Sequence, residues 1–122
     1  LRTRMAIGED FIQLSGEDAT VVPFLSQGGV GCISVTANIA PRACAELHEA
    51  WMKSDQETVN GIEERLMPVH DALFCESSPG PVKYAAALMG LCSDEMRLPL
   101  CEIAEESKQI VRAALVSAGL LP

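Results

Sequence analysis

The sequence predicts an α/β chain, mostly helical, that forms the C-terminal part of a larger α/β domain. Three observations carry that class. A strand, a short helix and a second strand follow one another within about 25 residues, a compact βαβ unit. The second of these strands, Val30 to Val35 (VGCISV), is apolar at nearly every position, the pattern of a strand buried on both faces of a parallel sheet. From Pro41 onward the apolar spacing changes to steps of three and four and stays helical. Two parallel strands do not make an independently stable sheet, so further strands are expected from outside this stretch.

Each element has a local reason. Phe11-Ile12-Gln13-Leu14 reads as the first strand and ends at Ser15-Gly16-Glu17-Asp18. Asp18 suits the N-cap of a short helix, Ala19 to Ser26, started or bent by Pro23. Gly28-Gly29 breaks the chain before the second strand. Pro41 suits the first turn of a helix that carries Ala43, Leu47, Ala50 and Trp51 on one face. From Asp55 a second helix shows Val59, Ile62, Leu66, Val69 and Leu73; Pro68 lies inside it and should kink it, since it cannot donate to the Glu64 carbonyl. Ser77-Ser78-Pro79-Gly80-Pro81 reads as a loop, Val82 to Met89 as a helix stopped by Gly90, and Arg97-Leu98-Pro99-Leu100 as extended. The last helix starts near Ala104, places Ile110, Val111, Ala114, Leu115 and Ala118 on one face, and ends at Gly119.

Composition narrows the function. Lys and Arg number 9 against 17 Asp and Glu, for a net charge of −8 in 122 residues. So acidic a chain lacks the electrostatic footprint for phosphate backbones, and with one Trp, one Tyr and three Phe it cannot offer a row of stacking platforms. Nucleic acid is therefore not the expected partner. No apolar run approaches the roughly 20 residues of a membrane span. Leu1-Arg2-Thr3-Arg4-Met5 carries two arginines without a following apolar run, so it does not read as a signal peptide. The chain does not open on Met, and material upstream is expected to have been removed or never built.

The five cysteines, Cys32, Cys44, Cys75, Cys92 and Cys101, are odd in number, form no CxxC and sit among apolar residues. They read as buried, reduced thiols of a cytoplasmic protein. No metal site is expected, because His48 and His70 stand alone at helical positions without ligand spacing. His70 reads as a hydrogen-bonded core histidine rather than a general base. Ser15 has no nucleophile elbow around it, and its hydroxyl is expected to bond backbone at the strand end. Glu63-Glu64 and Glu105-Glu106 read as solvated helix faces.

Several blocks carry a resemblance. Ser15-Gly16-Glu17-Asp18-Ala19-Thr20 precedes Gly28-Gly29-Val30-Gly31-Cys32-Ile33-Ser34-Val35-Thr36-Ala37-Asn38. Arg65-Leu66-Met67-Pro68-Val69-His70, Pro81-Val82-Lys83, Arg97-Leu98-Pro99-Leu100 and Val111-Arg112-Ala113-Ala114-Leu115 follow. In this order and spacing they resemble the 4-hydroxy-tetrahydrodipicolinate synthase (dihydrodipicolinate synthase) family of pyruvate-dependent class I aldolases, relatives of N-acetylneuraminate lyase. The resemblance runs from about Phe11 to Leu121.

The resemblance implies a TIM (β/α)8 barrel with a C-terminal helical extension. Residues 1–53 would hold the last βα units, strands seven and eight, and residues 54–122 the extension. It implies a lyase of lysine (diaminopimelate) biosynthesis that condenses pyruvate with aspartate semialdehyde through a lysine Schiff base, as a cytoplasmic homotetramer, a dimer of dimers, without a cofactor. The family's strand-six motif Gly-Ile-Lys-Glu-Ala-Thr is absent here, and Tyr84 matches no catalytic position. No catalytic residue is therefore assigned to this chain, which is expected to be inactive alone. Two substrate-binding positions carry over: Gly16 matches the pocket glycine after strand seven, and Ile33 the strand-eight residue whose main-chain carbonyl faces pyruvate. Both suit a barrel, whose sites form at the C-terminal ends of strands. Glu17 departs from the family's usual Asp and keeps the charge.

Among the three lysines, Lys83 lies early in a helix, where a positive charge is disfavoured, and a carboxylate partner is expected for it in place of an imine-forming role. Lys53 and Lys108 read as solvated surface. Two alternatives stay open: a related pyruvate aldolase of the N-acetylneuraminate lyase kind, and a truncated, non-catalytic chain serving structure or assembly.

Overall fold

The computed structural model describes residues 2–122; Leu1, the first residue of the expected 1–53 segment, lies outside them. The described chain divides into two compact units, one ending at Val35 and the other running from Thr36 to Pro122.

The first unit holds helix α1 (Arg2–Ile7), strand β1 (Leu14–Ser15), a 3-10 turn (Asp18–Thr20), helix α2 (Val21–Ser26) and strand β2 (Gly31–Cys32). Helix α1 escapes the sequence reading: six residues with none buried leave no periodicity to read. The strands pair in parallel, Leu14 with Gly31 and Ser15 with Cys32. The ladder extends beyond them, with Val30 N–H on the Gln13 carbonyl at 3.0 Å and Ile33 N–H on the Ser15 carbonyl at 2.8 Å. The strands are shorter than their apolar runs, and the expected two-sided burial is not met here. Ile12, Leu14, Val30 and Ile33 are half or more exposed, because two strands cannot cover each other's faces.

Asp18 corrects another expectation. Neither the 3-10 turn nor α2 has a side-chain cap at its N-terminus. The Asp18 carboxylate accepts instead from the main chain beyond β2, at Val35 N–H.

The second unit is helical: a 3-10 turn (Thr36–Asn38), α3 (Pro41–Met52), α4 (Gln56–Ala72), α5 (Gly80–Leu88) and α6 (Glu105–Ser117). Pro41 opens α3 at a position where no N–H is needed, and Asp55 caps α4 by accepting Thr58 N–H at 3.1 Å. Helix α4 continues through Pro68 to Ala72. Val59, Leu66, Val69, Leu73, Val111 and Leu115 are almost fully buried where α4 packs on α3 and α6. Each such side chain contributes about 1.5–3 kcal/mol over exposure. Ile110 falls off this face and is 45 % exposed, contrary to its expected place. Helix α5 begins two residues earlier than its spacing suggests, since Pro81 fits its first turn. Arg97 to Leu100 is a turn rather than extended, closed by Leu100 N–H on the Arg97 carbonyl at 3.1 Å.

Helices α5 and α6 both end in Schellman motifs. Leu91 and Leu120 N–H reach back to Ala86 and Leu115 carbonyls, each at 2.9 Å, with Gly90 at φ 74° and Gly119 at φ 69°. Helix α3 ends the same way, with Asp55 N–H on the Ala50 carbonyl at 2.9 Å, but Ser54 takes the left-handed position at φ 59°.

No cysteine is fully buried. Cys32 and Cys44 are half-buried, and Cys75, Cys92 and Cys101 are exposed free thiols. Apolar sequence neighbours do not ensure burial when the residue lies in a connection, as these three do.

Candidate functional site

The first unit builds one end of its two-stranded sheet from main chain. At the end of β1, Ser15 is buried, its hydroxyl donates to the Glu17 carbonyl at 3.0 Å and accepts Glu17 N–H at 3.0 Å. This local bond bends the chain over Gly16. It matches the backbone role expected for Ser15. Gly16 is exposed, and a Cβ built there would meet nothing within 4 Å. Ile33 N–H binds the Ser15 carbonyl, so the two sequence-predicted site residues, Gly16 and Ile33, lie at the same end of adjacent strands. The Ile33 side chain is 72 % exposed.

Asp18 adds a tie that sequence reasoning missed. It is 6 % exposed, and its Oδ2 accepts Val35 N–H at 2.9 Å. A hydrogen bond to a charged acceptor is among the stronger ones. No local signal separates this role from capping. Both ask for an acid just after the strand, and only the parallel register of β2 brings Val35 within reach.

The second unit places the remaining candidates. His70 is buried and shares a 2.7 Å hydrogen bond between its Nδ1 and Thr36 Oγ1, as a satisfied core histidine should. His48 is half-buried on α3. Lys83 does not meet the expected carboxylate. Among the described residues its ammonium donates to the main-chain oxygen of Glu95, which answers the same need by a carbonyl dipole. Lys53 is exposed, as expected.

Lys108 corrects its reading as solvated surface. Its side chain is only 18 % exposed, paired with Glu102 at 2.5 Å and Glu105 at 3.7 Å, with the Tyr84 ring centre at 5.8 Å. The Glu102 hydrogen bond raises the Lys108 pKa above its ordinary value, and the same bond lowers that of Glu102. Tyr84 is thus a cation's neighbour on α5.

A recess of about 430 Å³ in this unit, lined by residues including Glu76, Met96, Cys101 and Ile103, contains none of the predicted site residues. Among the described residues no group of three or more His, Cys, Asp or Glu side chains could hold a metal ion, and no helix is long and apolar enough to cross a membrane.

Known proteins match this geometry. The chain is 58 % identical over 121 residues to the 4-hydroxy-tetrahydrodipicolinate synthase of Rhodospirillum centenum, covering 99 % of this chain and 42 % of that protein. It is 61 % identical over 122 residues to that of Gluconacetobacter diazotrophicus, covering 99 % and 41 %. Its structure superposes with a TM-score of 0.90 on the chloride-inhibited dihydrodipicolinate synthase of Acinetobacter baumannii complexed with pyruvate, at 37 % identity, covering 98 % of this chain and 41 % of that one. The chain therefore spans about two fifths of the length of the relatives it matches. The model of the dihydrodipicolinate synthetase family matches residues 1–118, and with relatives this similar in sequence and fold the chain belongs to that family.

Proposed function

We propose that this chain is the C-terminal segment of a lyase that condenses pyruvate with aspartate semialdehyde through a lysine Schiff base, in lysine biosynthesis. In this reading residues 1–53 are the last two βα units of a (β/α)8 barrel and residues 54–122 its helical extension. Gly16 and the Ile33 carbonyl line the pyruvate pocket. The Schiff-base lysine and the proton-relaying tyrosine lie upstream, so the chain alone is inactive. The complete enzyme is a cytoplasmic homotetramer, a dimer of dimers.

One observation carries the reading. The Ile33 N–H on the Ser15 carbonyl sets Gly16 and Ile33 at the C-terminal ends of two parallel strands, the end at which barrels bind substrate. Open space around Gly16 leaves room for a ligand to approach the backbone. The uncovered apolar residues of both strands suit a sheet completed by further strands. The Acinetobacter relative complexed with pyruvate supports the choice of substrate.

The test is reductive trapping. Full-length protein treated with pyruvate and borohydride should gain one adduct on a lysine outside residues 1–122, and the 122-residue chain should gain none. An adduct on Lys53, Lys83 or Lys108 overturns the assignment.

A further inference from the structure

Within the first unit, the peptide that carries the Ile33 carbonyl is held from both sides. On one side Ile33 N–H donates to the Ser15 carbonyl at 2.8 Å. On the other, Val35 N–H donates to Asp18 Oδ2 at 2.9 Å. The Ile33 carbonyl belongs to the peptide between these two amides. Peptide groups are planar, so the chain between them turns only about φ and ψ of Ile33 and Ser34. Fixing both ends leaves those dihedrals little room. The other carboxylate oxygen, Oδ1, lies 4.0 Å from Cys32 Sγ, a weak donor on β2 itself. The two anchors, Ser15 and Asp18, flank Gly16 and Glu17 and are both buried. The Ser15 hydroxyl closes the bend between them through the Glu17 main chain. Ser15 holds Ile33 by a carbonyl, which any residue supplies. Asp18 holds Val35 by its side chain, so this half of the clamp depends on residue identity.

We infer that Asp18 is a positioning residue for the 2-oxo acid. It acts through main chain: it fixes the direction of the Ile33 carbonyl and ties that carbonyl to the turn that carries Gly16. This rests on the pocket roles proposed for Gly16 and Ile33. A site built from main chain cannot be tuned by its own side chains, so a neighbouring side chain must set its geometry. Such support matters because a displacement of about 1 Å at a site can cost on the order of a hundredfold in rate.

The experiment compares Asp18→Ala, Asp18→Asn and Leu25→Val with wild type in the full-length protein. Leu25 is buried on α2 in the same unit and is no part of the clamp, so trimming it lowers stability alone. Initial rates give kcat and the KM of each substrate, and thermal unfolding gives Tm. Asp18→Ala should raise the KM for pyruvate about tenfold and leave that for aspartate semialdehyde within about twofold of wild type. Asp18→Asn keeps one acceptor oxygen and should raise the pyruvate KM about threefold. Leu25→Val should lower Tm and leave both KM values alone, since a smaller folded fraction lowers only the apparent kcat. A wild-type pyruvate KM in Asp18→Ala with only a lower Tm overturns the inference, as do equal rises in both KM values or a rise of the same size in Leu25→Val. If Asp18→Ala does not fold, Asp18→Asn decides: the expected rise in pyruvate KM supports the inference and a wild-type value overturns it. A wild type that gives no borohydride-trapped adduct with pyruvate overturns the functional reading, and this inference with it.

Discussion

Asp18 and Val35 are joined by a 2.9 Å hydrogen bond from the Val35 main-chain N–H to the Asp18 carboxylate, across 17 residues of sequence. The bond links the turn after β1 to the chain leaving β2, the two segments that carry Gly16 and Ile33. A residue suited to a helix N-cap therefore serves the sheet.

Removing that carboxylate should be costly. Asp18→Ala removes the charged acceptor that binds Val35 N–H, and a loss of about 1.5–3 kcal/mol is expected. Asp18→Asn keeps an acceptor oxygen and should lose less. Chemical denaturation of the full-length protein checks the order; equal stability of the alanine variant and wild type would refute it.

Ser54 offers a gain. It occupies the left-handed position of the α3 Schellman motif at φ 59°, where Gly90 and Gly119 sit in the other two. A side chain there costs about 1 kcal/mol, so Ser54→Gly should raise stability by about that amount. The side chain is exposed, so little packing is lost. A lower Tm for the glycine variant would contradict this.

Glu76 should make stability depend on acid. Hydrogen bonds to its carboxylate from Ser107 and from Ala104 N–H, the latter at 2.8 Å, hold its pKa below the ordinary 4.5. It caps α6 from a distance, since Ala104 has no side chain to do so. A folded pKa below the unfolded one means that the unfolded chain binds the proton more readily. The contribution is therefore present above 4.5 and is lost as pH falls through the lowered value. Glu76→Gln should flatten the decline of Tm below that pH. Parallel curves for the two proteins would exclude the linkage.

Gly16→Val separates folding from function. An added Cβ meets no atom within 4 Å, so the variant should fold with near wild-type Tm. In the proposed pocket its side chain occupies the space for pyruvate, so turnover in the full-length protein should collapse. Ile33→Val keeps the carbonyl and should retain activity. Full turnover by a folded Gly16→Val protein removes Gly16 from the site.

The sequence by itself determined what depends on neighbours a few residues apart. The buried face of α4, the Asp55 cap, Pro41 at the start of α3 and the Gly90 and Gly119 stops all follow from 3.6 periodicity and local backbone geometry. The ordered blocks around Gly16 and Ile33 also sufficed to indicate the family. Tertiary structure alone decided which distant group each polar side chain meets. Asp18 finds Val35 17 residues away, Lys83 finds the Glu95 carbonyl 12 away, and His70 finds Thr36 34 away. It also decided that Lys108 is drawn into an ion-paired cluster and that Ile33 and Val30 stay uncovered within this chain. An acid, a lysine or a histidine states only that it needs a partner. The parallel register and the packing of helices choose the partner, because hydrogen bonds and ion pairs act over a few ångströms of space whatever the separation along the chain.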